Sequence, residues 1–475
     1  MKVCLITPPS GFLLDQKVFV SLGILKVGAS LRAAGVEVDH LDLTGVSNYL
    51  DVVHDYKDDA IFGITATTPQ MPAAVKIARE LSTRGKIILG GPHVTLVNAA
   101  AKSQGSGSRA DLALSMLREQ FDCCVAGDGE EAIFECLKTS TRYVDADSPS
   151  GPYWQTSKKF SESPWPDRSL VDMNSYHYTI DGAPATSMIS QLGCPFECGF
   201  CGGRFSPMLR RIRTRPKESV VLEMLHLYDT YGYTGIMFYD DELNVNRSMV
   251  ELMKEIASTG IDWRLRGFVK AELFTDEQAE AMYAAGFRWL LCGFESGHPK
   301  ILRNINKKAT LEDNTRMLQI AHKNGLKVKA LMSIGHPGES EETIYATRDW
   351  LLEQKPDDFD LTVITVYPGT PYYDHAEPCG DHYVYEFNGD RLYSTDVDFL
   401  EDAAYYKGQP GEYRSFVWTD YLSAEEITSL RDSTEWEVRN ALGIPYPKGV
   451  AALNYEHSVG MRLPESILRG AHAKV

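Results

Sequence analysis

Three of the nine cysteines stand close together, Cys194, Cys198 and Cys201 in the run GCPFECGFCGG from Gly193 to Gly203. Three thiolates on one tight glycine- and proline-bearing loop can hold three irons of a cubane cluster, leaving the fourth iron open to a substrate or cofactor. Zinc, with a fourth ligand from elsewhere such as His226, is the structural alternative, and three unrelated buried thiols are the bland one. Of the remaining cysteines, Cys4, Cys123, Cys124, Cys136 and Cys292 fall in apolar runs and read as core. Cys379, between Pro378 and Gly380, is a candidate catalytic thiol.

Further polar groups fall at the ends of apolar, strand-like runs. Asp240, Asp241 and Glu242 follow Phe238-Tyr239, and Glu295 and Ser296 lie in GFESG. Arg264 and Arg266 lie on the run between them, and GHPGE (335–339) and YPGTP (367–371, with Tyr367) end two later runs. Alone, each has an ordinary explanation: a solvated acidic turn, a helix cap, a surface charge. Common placement at strand ends favours a site, because α/β barrels build theirs at the carboxyl ends of their strands.

The elements that must position these groups are legible. Strands are expected at Ala185–Leu192, Gly235–Tyr239, Trp263–Phe268, Trp289–Gly293, Val328–Ile334 and Asp360–Val366, with helical stretches between them, for example at Lys217–Tyr231 and Leu311–Asn324. Six such units predict a partial or complete α/β barrel. An earlier alternating series begins with strands at Lys2–Thr7, Val36–Leu43, Ala60–Thr65, Lys86–Leu89 and Asp122–Ala126, which predicts a parallel, doubly wound, Rossmann-like sheet. Its strands end at Thr7-Pro8-Pro9-Ser10, Thr65-Ala66-Thr67-Thr68, Gly90-Gly91-Pro92-His93 and Gly127-Asp128-Gly129-Glu130, where such sheets bind large ligands. No GxGxxG fingerprint follows the first strand, which disfavours NAD. The expected organisation is 1–140 for this domain, 141–180 for a Ser/Thr/Pro/Asp-rich linker, 181–375 for the barrel, and 376–475 for a small, mostly helical C-terminal region with many aromatics. AAAKSQGSGSRA (99–110) reads as an exposed loop.

At 475 residues the chain has room for about three domains of roughly 150 residues each. A composition of 43% hydrophobic and 24% charged residues excludes wholesale disorder. The net charge of −17 argues against sequence-independent binding of nucleic acid. No apolar run reaches the length of a membrane span, and MKVCLITPPSG reads as a strand rather than a signal peptide, so the expected compartment is the cytoplasm.

The cysteine array, the acidic motif after the second barrel strand, the GFESG motif after the fourth, and the motifs after the fifth and sixth occur in the order found in the radical S-adenosylmethionine (SAM) superfamily, which this sequence resembles. Together with LITPPSG, SLGILKVGASLRAAG, ILGGPHVTL and AGDGEEAI, they resemble the subgroup with an N-terminal cobalamin (B12)-binding domain, over roughly residues 1–375. The resemblance implies a (β/α)6 partial TIM barrel and a [4Fe-4S] cluster on Cys194, Cys198 and Cys201. It implies SAM held near Asp240, Asp241, Glu242, Arg264, Arg266, Glu295, Ser296 and Tyr367, and cobalamin held near Pro8, Ser10, Thr67, Gly90, Gly91, His93, Gly127 and Gly129. The D-x-H-x-x-G cobalt-ligand motif is absent, and VDHLDLTG fails its spacing, a departure common in this subgroup.

The implied chemistry is reductive cleavage of SAM to a 5′-deoxyadenosyl radical, with an electron from a donor such as flavodoxin or ferredoxin. Hydrogen is then abstracted from an unactivated carbon of a small molecule. The leading expectation is cobalamin-dependent C-methylation in natural-product biosynthesis. The alternative is a non-methylating dehydratase, cyclase or rearrangement enzyme, for example on a sugar-like substrate, that retains the cobalamin-domain fold unused. Cys198→Ala is expected to abolish both bound iron and 5′-deoxyadenosine formation; SAM cleavage that survives it would remove the cluster assignment.

Overall fold

The computed structural model describes residues 1–11, 16–403 and 414–444. Six strands, β1 (Lys2–Thr7), β2 (Glu37–Asp42), β3 (Ile61–Thr65), β4 (Ile87–Gly90), β5 (Cys123–Ala126) and β6 (Tyr143–Asp145), form the N-terminal sheet in the order β2-β1-β3-β4-β5-β6. All pairs are parallel. The winding reverses between β1 and β3, which opens a crevice outside their carboxyl ends. Strands such as VCLI and IILG are apolar on both faces because helices cover both sides.

Two local expectations are corrected. Ala99, Ala100 and Ala101 are buried in the helix Pro92–Gln104 rather than exposed in a loop. Alanine favours helix and packs closely, so the turn shrinks to Gly105–Ser108, and Ser108 caps the next helix, Arg109–Gln120, by accepting from Asp111 N. The segment expected to link the domains supplies β6 at its start, and its Trp154, Phe160, Met173, Tyr176 and Tyr178 are buried. Its apolar residues are sparse but large, so a polar composition concealed a packed segment.

The second sheet contains β7 (Ala183–Met188), β8 (Gly235–Phe238), β9 (Arg264–Phe268), β10 (Phe287–Glu295), β11 (Lys327–Ile334) and β12 (Asp358–Val363), parallel and in sequential order. The short strand Thr179–Ile180 adds antiparallel beside β7. The result is a six-stranded half-barrel with helices outside and an open seam. Its edge strand β12 is covered by the helix Ala424–Leu442, where Arg431 Nε donates to Leu361 O at 2.6 Å and Arg439 Nη2 to Phe359 O at 2.6 Å. Glu435 sits between both arginines, and all three side chains are buried.

The C-terminal region adds a sheet to its helix. Strands β13 (Glu377–Cys379), β14 (His382–Phe387), β15 (Asp390–Thr395) and β16 (Val417–Thr419) pair antiparallel. The signal was present in the sequence: aromatic and β-branched residues in HYVYEF precede Asn388-Gly389, both with positive φ, which is hairpin chemistry. Tyr405, Tyr406 and the chain beyond 444 lie outside the described residues. Among the described residues, no helix is long and apolar enough to cross a membrane.

The layers dock through specific contacts. Arg109 of the N-terminal domain stacks between Tyr373 and Tyr383, 3.7 and 3.6 Å from their ring centroids. The buried Asp147 accepts from Ser206 Oγ and Met208 N at 2.8 Å each, tying the end of the N-terminal sheet to the segment after the cysteine loop. Glu435→Leu removes the buried carboxylate that Arg431 and Arg439 share and leaves them Asp432 and Asp358. It is expected to lower stability by about 3 kcal/mol, read as a fall in the urea midpoint.

Candidate functional site

The cysteine loop follows β7 and is held by its backbone. Gly193 has φ +96, and a Cβ there would lie 2.1 Å from Arg211 O, so only glycine fits. Its N–H donates to Asp241 Oδ2 at 2.8 Å, and Cys194 N donates to Leu209 O at 2.9 Å. From the other side Gly199 N donates to Ile305 O at 2.6 Å, and Asn306 Nδ2 to Glu197 O at 2.8 Å. Cys194 and Cys198 are half-buried and Cys201 is exposed. Burial, reinforced by nearby carboxylates and the Cys198 thiol, pushes Cys194 up to about 11. Thiols this close resist ionising together unless a cation compensates, so the donor set suits a metal centre. Among the described residues, no three His, Cys, Asp or Glu side chains close on one point as a single metal ion requires. His226, the candidate fourth ligand for zinc, instead contacts Thr230, Trp165 and Tyr231 on an outer helix.

Beside the loop lies a set of buried polar groups: Glu242 Oε2 and Gln191 Oε1 have no hydrogen bond, and Lys270 and Glu272 meet only as an ion pair. Lys270 Nζ is 2.9 Å from Glu272 Oε1 and 4.4 Å from the Phe196 ring centroid, so it reaches the cysteine loop. Burial pushes Glu242 up to about 7. The unpartnered Glu242 oxygen, next to the Lys270 ammonium whose ion pair with Glu272 leaves it room for further acceptors, fits a zwitterionic amino-acid group such as that of SAM. Glu295 is nearby, with a left-handed backbone (φ +65) at a register shift in β10. Its Oε1 accepts from Lys307 Nζ at 3.0 Å and its Oε2 from Ser333 Oγ at 2.9 Å. Burial lowers the pKa of Lys307, but Glu295, Cys198 and Glu242 outweigh it and raise the pKa overall.

Several expected residues do other work. Asp240 is buried and accepts from Ser190 N at 2.7 Å; together with Asp241 it pins the backbone around the cysteine loop, leaving Glu242 to the mouth. Arg264 is the first residue of β9, at the end away from the mouth, and pairs with Asp262. Arg266 points the same way two residues on, buried against Tyr178 inside the barrel and short of the mouth. Ser296 turns back to Thr347 Oγ1 at 3.3 Å and accepts from His298 N. Tyr367 packs on the loop, its Cε2 lying 3.4 Å from where a Gly202 Cβ would be. Cys379 is exposed at the end of β13, opposite His382 in the backbone ladder, and the Asn388-Gly389 turn lies at the far end of β14. Lys270, Lys307 and Ser333 were missed. Lys270 had a signal, as it follows β9 directly; Lys307 had none, because a helix folding back from β10 delivers it.

A cavity of about 380 Å³ lies at the carboxyl ends of the N-terminal strands, within the usual range for small-molecule sites. Thr67, Gly90, Gly91, Gly127 and Gly129 line it, and Ile189, Leu192, Met208, Leu209 and Arg213 close it from the barrel side. A Cβ at Gly90 would meet nothing within 4 Å, so the missing side chain is what leaves this cradle open. At Gly91 (φ +100) a Cβ would stand 2.7 Å from Thr65 Oγ1. The apolar wall carries two ion pairs, Lys26–Glu130 at 2.8 Å and Arg213–Asp128 across the domain boundary. Burial pushes Asp128 up to about 6. Pro8, Ser10 and His93 do not line the cavity. Pro8 O and Ser10 Oγ accept from Gln70 Nε2 at 3.1 and 3.0 Å, and Gln70 faces the cavity in their place. His93 is buried against Thr68 Oγ1 at 3.1 Å, and burial pushes it down to about 3. The helix Pro92–Gln104 leads from this cavity to the cysteine loop, with Leu96 Cδ1 3.4 Å from the Gly202 Cβ position.

Residues 188–351 match the family model of the radical SAM superfamily, and residues 16–137 match that of the B12 binding domain. The chain is a radical SAM enzyme with a B12-binding domain. This family uses a [4Fe-4S] cluster and SAM, and the second domain adds cobalamin. The radical SAM enzyme is 28% identical over 400 residues to an uncharacterized methyltransferase of Pyrococcus horikoshii, covering 79% of this chain and 83% of the relative. It is 23% identical over 335 residues to an anaerobic magnesium-protoporphyrin IX monomethyl ester cyclase of Cereibacter sphaeroides, covering 66% of this chain and 52% of that one. Its fold resembles the radical SAM methyltransferase TsrM from Kitasatospora setae, solved with cobalamin and a [4Fe-4S] cluster. The TM-score is 0.68 at 17% identity, over 97% of this chain and 93% of that one.

Two substitutions separate the two sites. Gly90→Leu is expected to retain cluster iron and lose most bound corrinoid, measured after desalting, because the side chain enters the cavity without a backbone clash. Glu242→Gln is expected to weaken SAM binding about tenfold, the scale of a lost charge-assisted hydrogen bond, with corrinoid unchanged.

Proposed function

We propose that this radical SAM enzyme is a cobalamin-dependent C-methyltransferase acting on an unactivated carbon of a small molecule in natural-product biosynthesis. The observation that carries the reading is the continuity of the two sites: the helix that begins at the glycine-lined cavity lays Leu96 on Gly202 of the cysteine loop. When bound, the cluster and SAM supply a carbon-centred radical and cobalamin supplies the methyl group.

The chain's own residues hold and orient. Cys194, Cys198 and Cys201 ligate the cluster. Glu242 accepts from the SAM amino group, and Lys270 meets its carboxylate. Glu295 stands on the ribose side, kept in place by Lys307 and Ser333. Gly90 and Gly91 let a large flat ligand lie against the backbone. An external one-electron donor such as flavodoxin or ferredoxin delivers the electron. The methyltransferase names of the Pyrococcus and Kitasatospora proteins support the reading. The cyclase name of the Cereibacter relative supports the second reading, radical chemistry without methyl transfer.

Anaerobic reconstitution with hydroxocobalamin, followed by desalting, is expected to leave about one corrinoid per chain. Methyl-labelled SAM is then expected to label product extracted from the native host's metabolite pool. Corrinoid near zero alongside intact SAM cleavage would select the second reading.

A further inference from the structure

Glu295 is the one residue of the candidate SAM site whose backbone is strained, at φ +65, and something must hold it there. Behind it runs a buried chain. Ser333 Oγ donates to Glu295 Oε2 at 2.9 Å and lies 2.8 Å from His336 Nε2; His336 Nδ1 lies 3.1 Å from Tyr372 Oη. His336 and Tyr372 are 0% and 1% exposed. The proton positions follow from the carboxylate end. Ser333 has one hydrogen, given to Glu295, so its oxygen accepts from His336 Nε2–H; His336 Nδ1 is then bare and accepts from Tyr372 O–H. Every donor points toward Glu295. Burial pushes His336 down to about 4, which keeps the imidazole neutral, as this arrangement needs. The chain also touches the two parts of the molecule that flank the site. Phe200, between two cluster cysteines, packs on His336 at 5.4 Å between ring centroids, and Tyr385 of the C-terminal sheet packs on Tyr372 at 4.9 Å.

We propose that His336 and Tyr372 are positioning residues that, through Ser333, fix Glu295 in its left-handed conformation for SAM. This rests on the reading of Glu295 as a SAM contact. Each acts on Glu295 through the next hydrogen bond of the series. The order of donors makes the requirement chemical rather than steric. Position 336 must donate to Ser333 and accept from Tyr372, which an amide can do and a hydrocarbon cannot.

The test measures SAM affinity by equilibrium dialysis on the full-length, cluster-reconstituted protein, with iron content as the check on folding. Tyr372→Phe is expected to weaken SAM binding about fivefold, the scale of one net hydrogen bond, with turnover at saturating SAM within about twofold. His336→Leu is expected to weaken it about tenfold or more, and His336→Gln to stay within about twofold of the parent. A chain that only fills space would favour leucine over glutamine or treat them alike, and either result overturns the proposal. If His336→Leu fails to take up iron, the Tyr372→Phe and His336→Gln pair decides alone. Glu295→Ala separates the two levels. Unchanged affinity in that variant removes Glu295 from the SAM site. Weakened affinity there, with parental affinity in both Tyr372→Phe and His336→Leu, removes only the positioning chain.

Discussion

The cysteine loop has almost no regular structure of its own, so its shape depends on the backbone groups that pin it. Asp241 takes the Gly193 N–H, Leu209 takes that of Cys194, and Ile305 and Asn306 hold Gly199 and Glu197 from the opposite side. These anchors come from the second strand end, from the segment after the loop and from the end of the helix after the fourth strand. The backbone that carries the three thiols is therefore held from both sides. The cost is borne by residues that look catalytic in the sequence: Asp240 and Asp241 serve as backbone clamps, and only Glu242 is left with an unsatisfied oxygen.

The open seam of the half-barrel sets the second constraint. Six strands do not close a ring, so the edge strand β12 needs cover, which the arginines of the helix Ala424–Leu442 provide by taking its carbonyls. The N-terminal domain docks beside the loop side of the barrel through Arg213–Asp128, Asp147–Ser206 and Leu96 on Gly202. One cavity wall thus comes from each domain, and the glycine-lined cradle shares a helix with the cluster loop. That shared helix is the physical link between a B12-binding domain and radical chemistry in this chain.

The parts legible in the sequence were those governed by local rules. Strand β1 spans Lys2–Thr7 as expected, and the helix Lys217–Tyr231 falls at its expected bounds. The hydrophobic period and short glycine turns suffice for such elements. The cysteine array was legible because its three cysteines lie close together in the chain. The arginines of β9 show where local reading stops. Period two places both inside the barrel, but the distance along the strand leaves Arg264 at the wrong end and Arg266 short of the mouth. His93 failed for a similar reason, since a residue beside a ligand-binding turn is as easily folded under it as over it.

What the sequence determined alone was the order of βα units, the family to which its motifs belong, and the three thiols, because each depends on residues within a few positions of one another. Tertiary structure alone decided which polar side chain at each strand end faces the mouth, that Lys270 and Lys307 join Glu242 and Glu295 there, and that Ser333, His336 and Tyr372 line up behind Glu295. These groups lie far apart in the chain and converge only when parallel strands come into register. Their roles follow from burial and from the donors and acceptors left over once the backbone is satisfied, quantities that exist only in the folded chain.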